Sequence, residues 1–90
     1  MTSMHEDADG WRYQSHRDGV EQVYLPTPHP AQLFIERVNR PKTRRKNWVI
    51  VNRSPPGRWR NAIYGPKISG PFPTLEAAKA AYLLIRASLT

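Results

Sequence analysis

Ninety residues suffice for one small domain with a modest core. The absence of cysteine excludes disulfides and thiolate metal sites, and no apolar run is long enough to span a membrane. The net charge of +7 is unevenly spread: residues 1–36 carry six acids and two bases (−4), residues 37–90 twelve bases and one acid (+11). This asymmetry points to a basic binding module behind an acidic extension, attractive to nucleic acid, anionic membrane or an acidic protein.

The chain opens on MTSMHEDADG, polar and acidic, the reverse of a secretory leader, which sets the expectation of a cytoplasmic protein. By composition, residues 1–10 read as a disordered or loosely held tail. An N-terminal extension follows over residues 11–40. In WRYQSHRDGVEQVYL the Asp18-Gly19 turn signal separates two strand-like stretches and predicts a hairpin. PTPHP is a stiff connector. In AQLFIERV, Ala31, Phe34, Ile35 and Val38 have helical spacing, predicting a short helix from about Pro30, with a strand as the competing reading. The −4 of residues 1–36 further suggests an arm that folds back on the basic part and competes with DNA.

NRPKTRRK brings Arg40, Lys42, Arg44, Arg45 and Lys46 into one loop and leads into a basic domain over residues 41–90. NWVIVNR is a strand by composition, SPPG a turn, RWRNAIY a second strand, and GPKISGPF a turn with a short third strand, in which Pro71 belongs at an end or on an edge. Thr74 caps a helix that carries Glu76 in its first turn. Leu75, Ala78, Ala81, Tyr82, Ile85 and Leu89 form its apolar stripe. The fold class is thus α+β: a three-stranded antiparallel sheet on one C-terminal helix, preceded by the acidic extension with its hairpin and short helix.

If residues 54–57 close the hairpin, Val51 faces Arg60, Val49 faces Ala62 and Trp48 faces Ile63. Trp48, Ile50, Trp59 and Ile63 then share one face with Asn52 and Asn61, while Val49, Val51, Arg53, Arg58, Arg60, Ala62 and Tyr64 share the other. Burying the tryptophan face gains more apolar area, and turning arginines inward is costly. Arg53, Arg58 and Arg60 therefore crowd an outward face with no acid among them, an arrangement that calls for an anionic ligand.

These residues resemble the plant ethylene-response-factor (Apetala-two) type of DNA-binding domain, which has relatives in phages and mobile elements. Gly57, Arg58, Trp59 and Ile63 match its Gly-basic-aromatic segment. Gly70, Phe72, Thr74, Glu76, Ala78, Ala81 and Tyr82 match its Gly-x-Phe-x-Thr-x-Glu-x-Ala-x-x-Ala-Tyr run. The resemblance covers about residues 47–86. It implies a three-stranded sheet with one helix across it and a base-reading role for Arg58, Arg60, Ala62 and Tyr64. The first strand departs from that pattern, with Val49, Val51, Asn52 and Pro56 where the family has arginines and a loop tryptophan. The arm-binding domain of phage integrases is similar in layout. The double-stranded RNA-binding domain is similar in order, with residues 30–39 as its first helix.

His5, His16 and His29 lack metal-ligand spacing, and no catalytic constellation, phosphate-cradling glycine loop or cofactor motif is present. The reading is a non-enzymatic nucleic-acid-binding module, favouring duplex DNA. Phosphate contacts fall to Lys42, Arg44, Arg45, Lys46 and Lys67, and groove contacts to Arg53, Arg58, Arg60 and Tyr64. The rival reading is a small phage-type regulator that seizes an acidic host protein.

Overall fold

The computed structural model describes residues 3–16, 19–28, 32–38, 47–53 and 67–88. Among these residues six strands form one antiparallel sheet: β1 (Ser3–Glu6), β2 (Arg12–Ser15), β3 (Val20–Tyr24), β4 (Leu33–Val38), β5 (Trp48–Asn52) and β6 (Lys67–Phe72). They lie side by side in chain order, a meander, and α1 (Leu75–Ser88) packs across one face. The class remains α+β, but the three-stranded sheet expected from the sequence and from the family resemblance is overturned: the acidic extension is half of the sheet.

Three differences account for this. Residues 1–10, expected as a loose tail, include β1, paired along its whole length with β2. Asp7 fixes the β1–β2 turn: its Oδ1 accepts from the amides of Asp9 and Trp11, both at 3.0 Å, and its Oδ2 accepts from the Tyr13 hydroxyl at 2.9 Å. Gly10 completes the turn at φ 88°, a conformation that favours glycine. The short helix expected from Pro30 is instead β4. Its two side-chain sets face opposite ways, Leu33 and Ile35 toward α1 and Phe34 and Glu36 away from it. The double-stranded RNA-binding order therefore loses its first helix. The hairpin signalled by Asp18-Gly19 is present as β2 and β3.

The third difference is strand register. β5 has β4 on one edge and β6 on the other, with Trp48 opposite Phe72 and Val51 opposite Lys67. A strand has only two edges, so the expected pairing of β5 with residues 58–64 is excluded. Those residues lie outside the described ones. The facing of β5 is as expected: Trp48 and Ile50 turn to the helix. So is the placing of Pro71, in the edge strand β6.

The core joins Trp11, Val23, Leu33, Ile35, Trp48 and Ile50 of the sheet side to Ala78 and Tyr82 of α1, with Leu75, Ala81 and Ile85 at its margin. This is the stripe the spacing predicts, apart from Leu89, which is outside the described residues. Thr74 caps the helix, its Oγ1 accepting from the Ala77 amide at 3.1 Å. Alanine at position 78 leaves room for Tyr82, whose ring meets Trp11 edge-on at 5.1 Å. The buried Tyr82 hydroxyl donates to Leu33 O (3.1 Å) and accepts from Leu25 N (3.2 Å), so it ties α1 to the ends of β3 and β4.

Candidate nucleic-acid interface

Strand pairing decides where the acids go. Glu6 stands opposite Arg12 across β1 and β2, and Glu21 opposite Arg37 across β3 and β4. Both pairs close at 3.2 Å. The Arg37 guanidinium also lies over Trp48, 4.3 Å from the ring centroid, sealing one rim of the core. Glu6 and Glu21 are therefore engaged within the sheet. An arm folding back over the basic part does not describe Glu6, Asp7, Glu21 or Glu36.

On the face away from α1, the sheet buries Val20, Val49 and Val51 together with two polar side chains, Gln22 and Glu36. Glu36 is fully buried and needs every lone-pair direction answered. Arg53 donates to it twice, Nε to Oε2 at 2.6 Å and Nη2 to Oε1 at 2.7 Å, and Gln22 Nε2 donates to Oε2 at 2.6 Å. His16 Nε2 donates in turn to Gln22 Oε1. Arg53, expected on an outward anion-seeking face, is a partly buried partner of Glu36 with a side chain 17% exposed. The face is as expected, but hairpin counting could not see the carboxylate that β4 places on the same side.

A second cluster fastens the helix to the β1–β2 end. Lys79 Nζ donates to the Tyr13 hydroxyl, sits 3.8 Å from Asp7 Oδ2, and lies about equally over the Trp11 and Tyr13 rings, at 5.2 and 5.1 Å. Burial alone would lower the Lys79 pKa, but Tyr13, Glu76 and Asp7 outweigh it and the net direction is upward. For Asp7, desolvation pushes up, while hydrogen bonds from Tyr13 and the Trp11 and Asp9 amides, aided by Lys79, bring it below its ordinary value.

Of the remaining residues singled out from the sequence, Lys67 begins β6. Lys42, Arg44, Arg45, Lys46, Arg58, Arg60 and Tyr64 lie outside the described residues. The strands fix where the two basic stretches attach. Residues 39–46 join β4 to β5, residues 54–66 join β5 to β6, and antiparallel order puts these connections at opposite ends of β5. Four steps from Trp48 to Asn52, at about 3.3 Å each, separate the attachments by roughly 13 Å.

A cleft of about 220 Å³ opens where β3 ends and β4 begins. Tyr24 and Phe34 contribute rings packed edge-on, 4.9 Å between centroids, with Pro26, Pro28, Gln32 and Tyr82 also lining it. Arg86 reaches it from α1 and donates through Nη2 to Thr27 O at 2.8 Å and Thr27 Oγ1 at 2.6 Å. None of these carries a site signal in the sequence, because residues 24–28, 32–34 and 86 converge only once α1 has docked. Among the described residues, no group of three His, Cys, Asp or Glu side chains could hold a metal ion, and no helix is long and apolar enough to cross a membrane.

No protein-family model, curated protein or solved structure matches the chain.

Proposed function

We propose that this chain is a small non-enzymatic nucleic-acid-binding protein that engages duplex DNA through the basic stretches flanking β5. The observation that carries the reading is the disposition of charge. Among the described residues, Glu6, Glu21, Glu36 and Asp7 form ion pairs with Arg12, Arg37, Arg53 and Lys79. Residues 40–67 hold nine bases and no acid, and among the described residues Arg53 pairs with Glu36. The excess of +7 is therefore concentrated in Arg40, Lys42, Arg44, Arg45, Lys46, Arg58, Arg60 and Lys67. Attachments roughly 13 Å apart are comparable with a major groove about 12 Å wide, so the two stretches suit phosphates on either side of it. Arg53 is excluded from the contact set because its guanidinium serves Glu36.

The test is fluorescence anisotropy with a labelled duplex. Seven or so neutralised phosphates predict a loss of about 10⁴-fold in affinity between 50 and 200 mM salt. Arg58→Ala with Arg60→Ala should weaken binding and flatten that salt slope while leaving the thermal midpoint unchanged. Affinity unaltered by the pair, or a duplex that does not bind at 50 mM salt, refutes the reading.

A second reading, a regulator that binds an acidic host protein, is favoured by one observation: Leu83 and Leu84 on α1 are 50% and 75% exposed. A stoichiometric partner retained from nuclease-treated lysate, and lost in Leu84→Lys, would support it over DNA.

A further inference from the structure

The cleft between the end of β3 and the start of β4 has a composition that the basic stretches do not explain. Its walls are two packed rings, Tyr24 and Phe34, and the two exposed prolines Pro26 and Pro28. Flat, stiff, apolar walls recognise flat apolar ligands. At about 220 Å³ the cleft is smaller than the 300–1,000 Å³ usual for drug-sized ligands. It is large enough for one ring system.

Two polar features stand among these walls. Gln32 is exposed at the entrance to β4, and an amide can pair bidentately with the N6/N7 edge of adenine. Among the described lining residues Arg86 supplies the full charge, a positive one, held in place by its bonds to Thr27. Tyr82 forms the floor and is itself fixed at both ends, to Leu25 N and Leu33 O, so the cleft is preorganised by the docking of α1. A ring slot, an amide and a cation within one small cleft match an unpaired nucleobase with its phosphate. They do not match a duplex, whose bases are stacked out of reach.

We infer that this cleft binds a single unpaired nucleobase of a DNA or RNA strand, adenine in preference, stacked on one ring of the edge-on Tyr24–Phe34 pair with its phosphate toward Arg86. The class of ligand rests on the nucleic-acid reading above, but the cleft is a separate site. The full chain would then favour strands with an overhang, a loop or an extruded base over a perfect duplex.

The experiment uses the full-length protein and two probes. Adenosine 5′-monophosphate is titrated while amide shifts are followed by NMR; saturable shifts confined to residues 24–34 and 82–86 are expected. Labelled single-stranded dA12 and rA12 are then compared with a perfect duplex by anisotropy, the two single strands separating a DNA from an RNA preference. Tyr24→Leu with Phe34→Leu, which keeps the walls apolar, should weaken single-strand binding by about five- to a hundredfold and leave duplex binding unchanged. The exposed Gln32→Ala serves as the second variant, safe for folding, and should narrow the preference for dA12 over dT12. No monophosphate shifts, or equal losses for single strand and duplex in both variants, overturn the inference while leaving the duplex reading intact. Failure of every nucleic acid to bind overturns both.

Discussion

Replacing Glu36 by glutamine tests the far face most sharply. The carboxylate is fully buried and receives three donors, two from Arg53 and one from Gln22. Glutamine keeps the shape but turns one acceptor oxygen into a donor NH₂, which must then face the Arg53 or the Gln22 N–H. The guanidinium also loses its counter-charge in a setting where its side chain is only 17% exposed. Breaking a buried pair by removing one partner costs about 3–5 kcal/mol, against a total stability of roughly 5–15 kcal/mol for a domain. At roughly 4–8 °C per kcal/mol for a domain of this size, the thermal midpoint should fall by more than 10 °C. The double variant Glu36→Leu with Arg53→Met removes both charges together, and apolar replacement of a buried pair is often neutral. It should regain most of the loss, short of about 1–3 kcal/mol for the Gln22 amide left without an acceptor. Calorimetry on the three proteins measures this, and duplex affinity should be the same in the double variant as in the parent. A midpoint shift under about 2 °C for Glu36→Gln would refute the reasoning, since the carboxylate would then be solvated. Weakened duplex binding in the double variant would return Arg53 to the contact set.

Two further outcomes follow from the helix contacts. Tyr82→Phe keeps the ring against Trp11 but leaves Leu25 N and Leu33 O without their partner, a loss of about 1–3 kcal/mol that urea denaturation should register without a change of m-value. The pH dependence of stability has two edges. Asp7, held below 3.8, contributes stability that is present above that pH and is lost as acid takes the pH down through its folded-state value. Lys79, held above 10.5, contributes stability that is present below that pH and is lost as the pH rises through its folded-state value. Tyr82, raised above 10.0 chiefly by burial, adds to the alkaline loss because the unfolded chain ionises first. In midpoint-against-pH measurements Asp7→Asn should flatten the acid edge and weaken the Lys79 part of the alkaline edge only slightly, Asp7 being the least of the groups that raise Lys79, while the Tyr82 part stays.

How much of this was legible in the sequence depended on whether the signal was local. α1 was legible because a Thr cap and a 3.6-residue stripe lie within one window, and β5 because Trp, Val and Ile follow one another without a break. β4 misled because both of its faces are partly buried. Leu33 and Ile35 line one side while Phe34 flanks the buried Glu36 on the other, so the alternation that marks a half-exposed strand is missing and spacing alone favours a helix. β1 was hidden for the opposite reason. An edge strand of exposed Met4, His5 and Glu6 carries no apolar pattern at all. The register of β5 was lost to the assumption of the shortest hairpin, since connections of 2–5 residues are the rule. Here β6 begins fifteen positions beyond the end of β5, at Lys67 after Asn52, and nothing local announces so long an excursion. The site is hidden for the same reason: the partner of Arg53 is 17 positions away on a strand whose spacing favours a helix.

The meander order carries a consequence for how the molecule is made. Neighbouring strands are neighbours in the chain, so β1 to β5 can zip together early and with little entropy to overcome. The ties that close the core are distant ones: Tyr82 to Leu25 spans 57 positions and Lys79 to Tyr13 spans 66. On the ribosome, Trp11, Val23, Ile35, Trp48 and Ile50 therefore form a greasy, uncovered plane for as long as the last element is still in the exit tunnel. A nascent chain stalled before Leu75 would be a target for chaperones or for its own copies.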